Sequence, residues 1–512
     1  MPRLVSRRTI IASLAASAAL PQVLDAGAPR TSVRPKARGG TPATAAPAAA
    51  PTAERVQNAQ SGAEQLVKGS GLSGEVGVAV ADARTGLMLE TYNADAGLAP
   101  ASVAKVLTSV YALDTLGPAY RFPTQLLTDG TLSNGRLDGD LILAGGGDPT
   151  LDTDALADMA AKLKAAGVRE VRGRFLVYDG YLPYERSIDE GQPEHVGYSP
   201  AVSGIALNFN RVHFEWRRQS NGYGVAMDAR SGRHRPEVTT ATMQLVNRAT
   251  PIYTYNRKGA TDEWTVAVQA LGGAGSRWLP VRNPGEYAGD VFRTFARAQG
   301  IVLKEPETIR RFSGRVEVLV THLSAPLRDL LRDMLKFSNN LMAEMIGLTA
   351  STVRGSRPRS LKDSGRDMSR WAAKTYGMND TLYVDHSGLG PDSRTTAKDM
   401  VTLLVRVYPK NQLRPLLKPI AMRDSSGNTA RNHPATVDAK TGTLNFVSGL
   451  GGYITTRDGT VLAFAYFSAD MDIRSRLTKA QRDRPPGGRN WNYRSKALQQ
   501  KMITRWEKLY GS

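Results

Sequence analysis

Ser102-Val103-Ala104-Lys105 places a hydroxyl and an amine three residues apart. If a helix starts there, both side chains project from one face about 5 to 6 Å apart, where a neutral lysine can deprotonate the serine. Taken singly the pattern says little, because Ser-x-x-Lys arises about once or twice by chance in a chain of this size. Two further elements follow in order, Ser338-Asn339-Asn340 and then Lys440-Thr441-Gly442-Thr443 on a predicted strand. Finding all three in order, each in a fitting local setting, makes coincidence a poor account of them.

Other chemistries are less well supplied. The six histidines, at 195, 213, 234, 322, 386 and 433, form no zinc-binding spacing, so no metal is expected, and His386 alone stands close to other residues of interest. Gly145-Gly146-Gly147 is not followed by Gly-Lys-Ser/Thr, so it reads as a turn before Asp148-Pro149 and implies no nucleotide cofactor. Cysteine is absent, which excludes a thiol nucleophile, Cys-zinc ligation and disulfides.

The elements that must position these groups can be read from periodicity. Valines 76, 78 and 80 alternate with Gly77 and Ala79, predicting a strand from Gly74 to Ala81, a turn at Ala83 to Gly86 and a second strand. Pro100-Ala101-Ser102 precedes Val103, Val106, Leu107 and Val110, the spacing of one buried helical face, so a helix begins at about Ser102. From Phe122 to Val302 short apolar runs cut by Gly, Asp and Pro predict inserted β-rich material with one clear helix, around Ala155 to Ala166. Helical periodicity returns at Leu327, Leu330, Leu331 and Met334. Strands are expected at Ala439 to Thr443, Gly452 to Thr456 and Val461 to Ser468, with Arg457-Asp458-Gly459 turning between the last two. A final amphipathic helix carries Leu498, Met502, Trp506 and Leu509. It should pack across the sheet, although its basic outer face also suits peripheral membrane contact.

A chain of 512 residues is too long for one ordinary core. Its formal charge is +20, of which seven Lys or Arg against Asp25 alone fall in residues 1–53, leaving +14 spread over the rest. Such a surplus attracts anionic polymers, but no nucleic-acid-binding signature accompanies it. Ser6-Arg7-Arg8-Thr9-Ile10-Ile11, an apolar run ending near Leu20 and small residues at Ala26 to Ala28 read as a twin-arginine export signal; an ordinary secretory signal is the alternative. Either predicts a periplasmic protein. Pro, Ala, Thr and Gly dominate the stretch that follows, a linker.

With these motifs on the page, the chain resembles the class C low-molecular-mass penicillin-binding proteins, the D-alanyl-D-alanine carboxypeptidase and endopeptidase family. Gly145 to Leu151, Ser203 to Arg211 and Asp385 to Leu389 carry the likeness beyond the catalytic motifs. The resemblance implies Ser102 as nucleophile, Lys105 as its base, Ser338 as proton relay to the leaving D-alanine, and Asn340 as holder of the substrate amide and of Lys105. Lys440, Thr441 and Thr443 would bind the substrate, the first two through its terminal carboxylate. Like-charge repulsion from Lys440 would lower the Lys105 pKa, and the N–H groups of Ser102 and Thr443 would hold the oxyanion. Asp148 would be aimed at the cleft to take the free amine of a diamino acid in the stem peptide, the alternative being a cap on its own turn. The family's Ser-Arg after Asp-x-Ser-Gly-Leu is replaced by Gly390-Pro391, with Arg394 as its substitute.

The implied fold is α/β (α+β): a transpeptidase-like or β-lactamase-like serine acyl-transferase domain with two inserted β-rich domains. The expected boundaries are an export signal at 1–28, a linker at 29–52, the catalytic domain at 53–119 and 324–512, inserted domain II at 120–145 and 244–323, and inserted domain III at 146–243. The implied partners are peptidoglycan stem peptides and, as covalent inhibitors, β-lactam antibiotics; a homodimer stays open. Two rivals remain, a serine β-lactamase, against which the large insertion argues, and a silent peptidoglycan-binding module, against which the intact motifs argue.

Overall fold

The computed structural model describes residues 62–423, 428–430 and 432–511. The expected export signal, the linker and residues 53–61 lie outside the described residues.

The alternation read at Val76, Val78 and Val80 builds one strand of a six-stranded sheet. Its strands run Lys418–Pro419, Thr436–Leu444, Val447–Thr455, Val461–Ala469, Glu75–Asp82 and Met88–Tyr92, every neighbouring pair antiparallel. Successive side chains of a strand face opposite sides, and the two sides have different tenants. Val76, Val78 and Val80 pack with Leu498, Met502, Ile503 and Trp506 of the helix Gly488–Tyr510. The expected packing of that helix on the sheet is thus observed, and its apolar stripe is covered. Ala79 and Ala81 face the other way, toward Val103, Val106 and Leu107. Their small side chains let the helix Ala104–Leu116 come close, and Ala104 to Leu113 are buried without a break. A helix apolar all round belongs in an interior, and this one is the centre of the helical layer.

Ser102 does not lie in the α-helix proper. It occupies a 3₁₀ turn, Ala101–Val103, that leads into the helix, and Ala101 has a left-handed backbone with φ 44°. Two more helices, Leu327–Phe337 and Asn340–Val353, meet at Ser338, which is also left-handed with φ 58°, while Asn339 caps the second by accepting from Met342 N.

The insertion departs from the sequence reading in two places. Phe175–Tyr178, assigned to inserted domain III at 146–243, instead pairs in parallel with Leu141–Gly145. It belongs to a five-stranded sheet with Pro123–Thr128, Pro306–Ile309 and Glu317–Leu323. The helix Thr153–Ala165 joins the same apolar cluster through Leu156, Met159 and Leu163, so the outer layer reaches well past residue 146. A second long helix, Pro284–Ala298, was also missed. Two glycines and an N-terminal proline gave it the composition of a turn, yet Pro suits the first helical position, and Tyr287, Ala288, Val291 and Phe292 form its buried face.

Trp506 is fully buried and donates from Nε1 to Glu90 Oε2 at 2.7 Å. Trp506→Ala would open a large cavity and strip a donor from a buried carboxyl. A loss of about 3 to 5 kcal/mol in urea unfolding is expected, and a loss under 1 kcal/mol would show that the helix-on-sheet contact is dispensable.

Candidate active site

The three motifs converge. The 3₁₀ turn Ala101–Val103 brings Ser102, the helix joint brings Ser338 and Asn340, and the strand Thr436–Leu444 brings Lys440. Lys105, fully buried, contacts three oxygens through Nζ: Ser102 Oγ at 3.0 Å, Asn340 Oδ1 at 2.8 Å and the Ser387 carbonyl at 2.7 Å. The orientation of the Asn340 amide is fixed from its other end, since Nδ2 donates to the Tyr198 carbonyl at 3.0 Å. Two of the three Lys105 partners can therefore only accept. A neutral amine has two N–H groups for them, and its lone pair is left pointing at the Ser102 hydroxyl.

Lys440, also buried, donates to Ser338 Oγ at 3.0 Å and to the Thr441 carbonyl at 2.6 Å. Thr441 is half-buried and Thr443 exposed, on the same strand. The strand comes close to the nucleophile: a Cβ placed on Gly442 would lie 3.0 Å from Ser102 N. That proximity puts the N–H groups of Ser102 and of the strand beside one another.

The electrostatics are those of a dry site. Burial drives the Lys105 pKa down, opposed by the carboxylates of Glu344 and Asp385. Burial also pushes Lys440 down, to about 6, with Lys105 and Lys418 adding like-charge repulsion. The sequence reading expected that repulsion to fall on Lys105. It is felt at Lys440 instead, and the free amine at Lys105 owes more to lost hydration.

A fourth segment, the Asp385 turn, closes the site from behind, held by Glu344, which the sequence reading did not single out. Glu344, one helical turn beyond Asn340 and fully buried, accepts from His386 N and Ser387 N, each at 2.9 Å. Asp385 accepts from Gly388 N at 3.0 Å, Gly390 N at 2.6 Å and Ser393 Oγ at 3.1 Å. His386 is buried against Ser364, its Nε2 2.7 Å from the hydroxyl, and burial lowers its pKa to about 3, so the ring is neutral. The available signal for Glu344 was a lone acid in an otherwise apolar helix, Asn340–Val353.

Two expectations are corrected. Asp148 is not presented to the cleft. It is buried, and Oδ1 accepts from Thr150 N at 2.8 Å and Thr150 Oγ1 at 2.7 Å, while Oδ2 lies 3.8 Å from His322 Nε2. The local turn takes up Oδ1, as Asp before a Pro-Thr pair commonly does, while the buried Oδ2 has no hydrogen-bond partner among the described residues. Arg394 donates to Pro391 O and Ser393 O of its own loop, and so is occupied in shaping that loop.

The chain as a whole is similar to known proteins. A family model described as the D-Ala-D-Ala carboxypeptidase 3 (S13) family matches residues 60–484. The chain belongs to that family. It is a serine D-Ala-D-Ala carboxypeptidase. The D-alanyl-D-alanine carboxypeptidase of Actinomadura sp. (strain R39) is 30% identical over 437 residues, 78% of this chain and 79% of that protein. A second relative, from Haemophilus influenzae, is 25% identical over 408 residues, 74% of this chain and 82% of its own. In fold, the carboxypeptidase is similar to the crystal structure of penicillin binding protein 4 from Haemophilus influenzae. That likeness has a TM-score of 0.68 at 20% identity over 86% of this chain and 99% of that one.

Gly388 tests how tightly the carboxypeptidase site is built. It has φ +75°, and a Cβ there would lie 1.9 Å from the Ala101 carbonyl. Gly388→Ala should cost about 1 to 3 kcal/mol by overpacking and backbone strain. By displacing the Ser387 carbonyl it should lower kcat on a D-Ala-D-Ala peptide about 100-fold in the folded fraction. Wild-type turnover by the folded variant would mean that the turn does not position Lys105.

Proposed function

We propose that this carboxypeptidase works from Ser102 through an acyl-enzyme, on peptidoglycan stem peptides, and that β-lactam antibiotics acylate the same serine. The observation that carries the reading is the Lys105 amine, buried and held to two carbonyl acceptors so that its lone pair meets Ser102 Oγ at 3.0 Å.

Lys105 takes the Ser102 proton as Oγ attacks the carbonyl of the penultimate D-alanine. The oxyanion is held by the N–H groups of Ser102 and Thr443, each worth about 3 kcal/mol when well placed. Ser338, bonded to Lys440, gives its hydroxyl proton to the departing D-alanine nitrogen and takes in its place the proton that Lys105 holds, and the C–N bond breaks with Lys105 neutral again. Water then releases the acyl group. Lys440 with the Thr441 and Thr443 hydroxyls takes the substrate carboxylate, whose charge favours the protonated amine that burial alone disfavours. Asn340 spends one N–H on Tyr198 and keeps the other for the substrate amide.

The cutting of cross-links between stem peptides, an endopeptidase activity, is part of the same proposal, since the chemistry differs only in the leaving amine. Export to the periplasm, through the twin-arginine signal at 1–28, supplies the compartment where this substrate is found.

Intact-mass spectrometry after incubation with penicillin tests the nucleophile. Wild type should gain one penicillin mass and Ser102→Ala none; an adduct on the variant would falsify the assignment. The pH dependence has a definite sign. Because Lys105 must be neutral, acylation falls as pH falls through its pKa, and burial has moved that pKa below 10.5. The acidic limb of penicillin acylation should therefore lie well below the ordinary lysine range. A limb centred near pH 10 would remove Lys105 as the base.

A further inference from the structure

Lys105 is aimed by two carbonyl oxygens, and only one of them belongs to a catalytic motif. The other, on Ser387, sits in a turn that has to be held still for the amine to be held still. What holds it is a carboxylate. Glu344 Oε2 accepts from His386 N and Oε1 from Ser387 N, both at 2.9 Å, with the side chain fully buried. Glu344 also lies four residues after Asn340, so one face of one helix supplies the Asn340 amide to Lys105 directly and grips, through Glu344, the turn that supplies the second acceptor.

We propose that Glu344 is a positioning residue for acyl transfer. Through the His386 and Ser387 N–H groups its carboxylate fixes the Ser387 carbonyl that orients Lys105, and its charge stabilises the ammonium formed when Lys105 accepts the Ser102 proton. The inference rests on the assignment of Lys105 as the base. The role is that of the third member of a serine, base and acid triad, which orients the base and stabilises its cation without taking the proton, here transmitted through backbone N–H groups. Burial, with repulsion from Asp385, pushes the Glu344 carboxyl up to about 8, opposed by its two N–H bonds and by Lys105; both of its oxygens accept, which is the arrangement that fits the ionised form. The other groups facing this cluster are Lys105 on the helix Ala104–Leu116, Asp385 and the neutral His386 in the turn, and Lys440 across the site. Asp385 shares the Coulombic pull on Lys105 and braces the same turn, accepting from Gly388 N, Gly390 N, Ser393 Oγ and, at 3.5 Å, the Ser387 hydroxyl, but it takes no bond from the Ser387 N–H. Of the two carboxylates, Glu344 is therefore the one bonded to the Ser387 N–H.

The two parts of the role separate by substitution. Glu344→Gln removes the charge and turns one acceptor oxygen into a donor facing an N–H. The Lys105 ammonium loses its counter-charge, so the acidic limb of penicillin acylation should move to lower pH by about one unit while the plateau rate falls about tenfold or more. Glu344→Asp keeps the charge but is too short to span both N–H groups. Its limb should stay near wild type while its plateau falls. Rates are taken per acylatable site, titrated with excess penicillin, so that unfolded protein does not count.

Limb and plateau unchanged in Glu344→Gln would overturn the proposal, as would a loss confined to melting temperature. Should Glu344→Gln fail to fold, Glu344→Asp decides alone: a wild-type plateau sinks the idea and a lowered plateau with an unmoved limb supports it. A wild-type enzyme with no Ser102 adduct would instead sink the acyl-enzyme reading, and this inference with it.

Discussion

Removing a lysine amine from water is the constraint around which the rest of the site is arranged. An ammonium buried without partners loses solvation worth several kcal/mol, and the protein recovers only part of it through acceptors. Lys105 is given three acceptors and two carboxylates at longer range, enough to tolerate the cation while burial holds its pKa below the ordinary lysine value, at about 8. More anionic partners would raise its pKa until it ceased to be a base. Fewer would leave the amine free but unaimed. The position of Glu344, bonded to the turn and not to the amine itself, is a compromise between these two failures.

Holding those acceptors requires backbone that the chain would not adopt by preference. Ala101, beside the nucleophile, and Ser338, at the joint of two helices, both have left-handed φ without being glycine. Such residues cost of order 1 to 3 kcal/mol each and persist where packing over-determines them. Here Ala101 is wedged between Gly388 on one side and Gly442 on the other, with its Cβ about 3 Å from where a Gly442 Cβ would stand. The glycines in two of the three neighbouring segments thus answer to the strain in the third.

What was legible in the sequence follows from which constraints are local. The Ser-x-x-Lys pair, the alternation at Val76 to Val80 and the stripe of Leu498, Met502 and Trp506 each depend on local spacing, and each element is found there, save that Ser102 stands in a 3₁₀ turn just ahead of its α-helix. Contacts made between elements distant in sequence left no such mark. Nothing adjacent to Phe175 announces that it pairs with Leu141, and nothing near Ser387 announces that its carbonyl meets Lys105. Pro284–Ala298 was hidden for another reason: its glycines lower helix propensity, and tertiary burial of Tyr287 and Phe292 overrides them. At Asp148 the sequence left two roles open, substrate contact and a cap on its own turn, and the Thr150 hydroxyl and N–H two residues away favour the cap.

The insertion, finally, is not an ornament hung on a self-sufficient catalytic domain. Its Tyr198 carbonyl fixes the Asn340 amide, and without that bond the amide could present nitrogen instead of oxygen to Lys105. The loop that carries Tyr198 is itself stapled by one buried guanidinium. Arg282 donates to the Arg186, Glu194 and Ser199 carbonyls at 2.8 to 2.9 Å, spanning the whole loop from a single point. From the other side Lys479 reaches Glu194 Oε1 at 2.9 Å and Arg482 reaches Gly191 O at 3.0 Å. A buried arginine gathering three carbonyls is costly to desolvate and strong once satisfied, which makes the loop geometry all-or-none. Hydrogen bonds of the insertion thus reach the Lys105 amine through three links: Arg282 to the loop, Tyr198 to Asn340, and Asn340 to the amine.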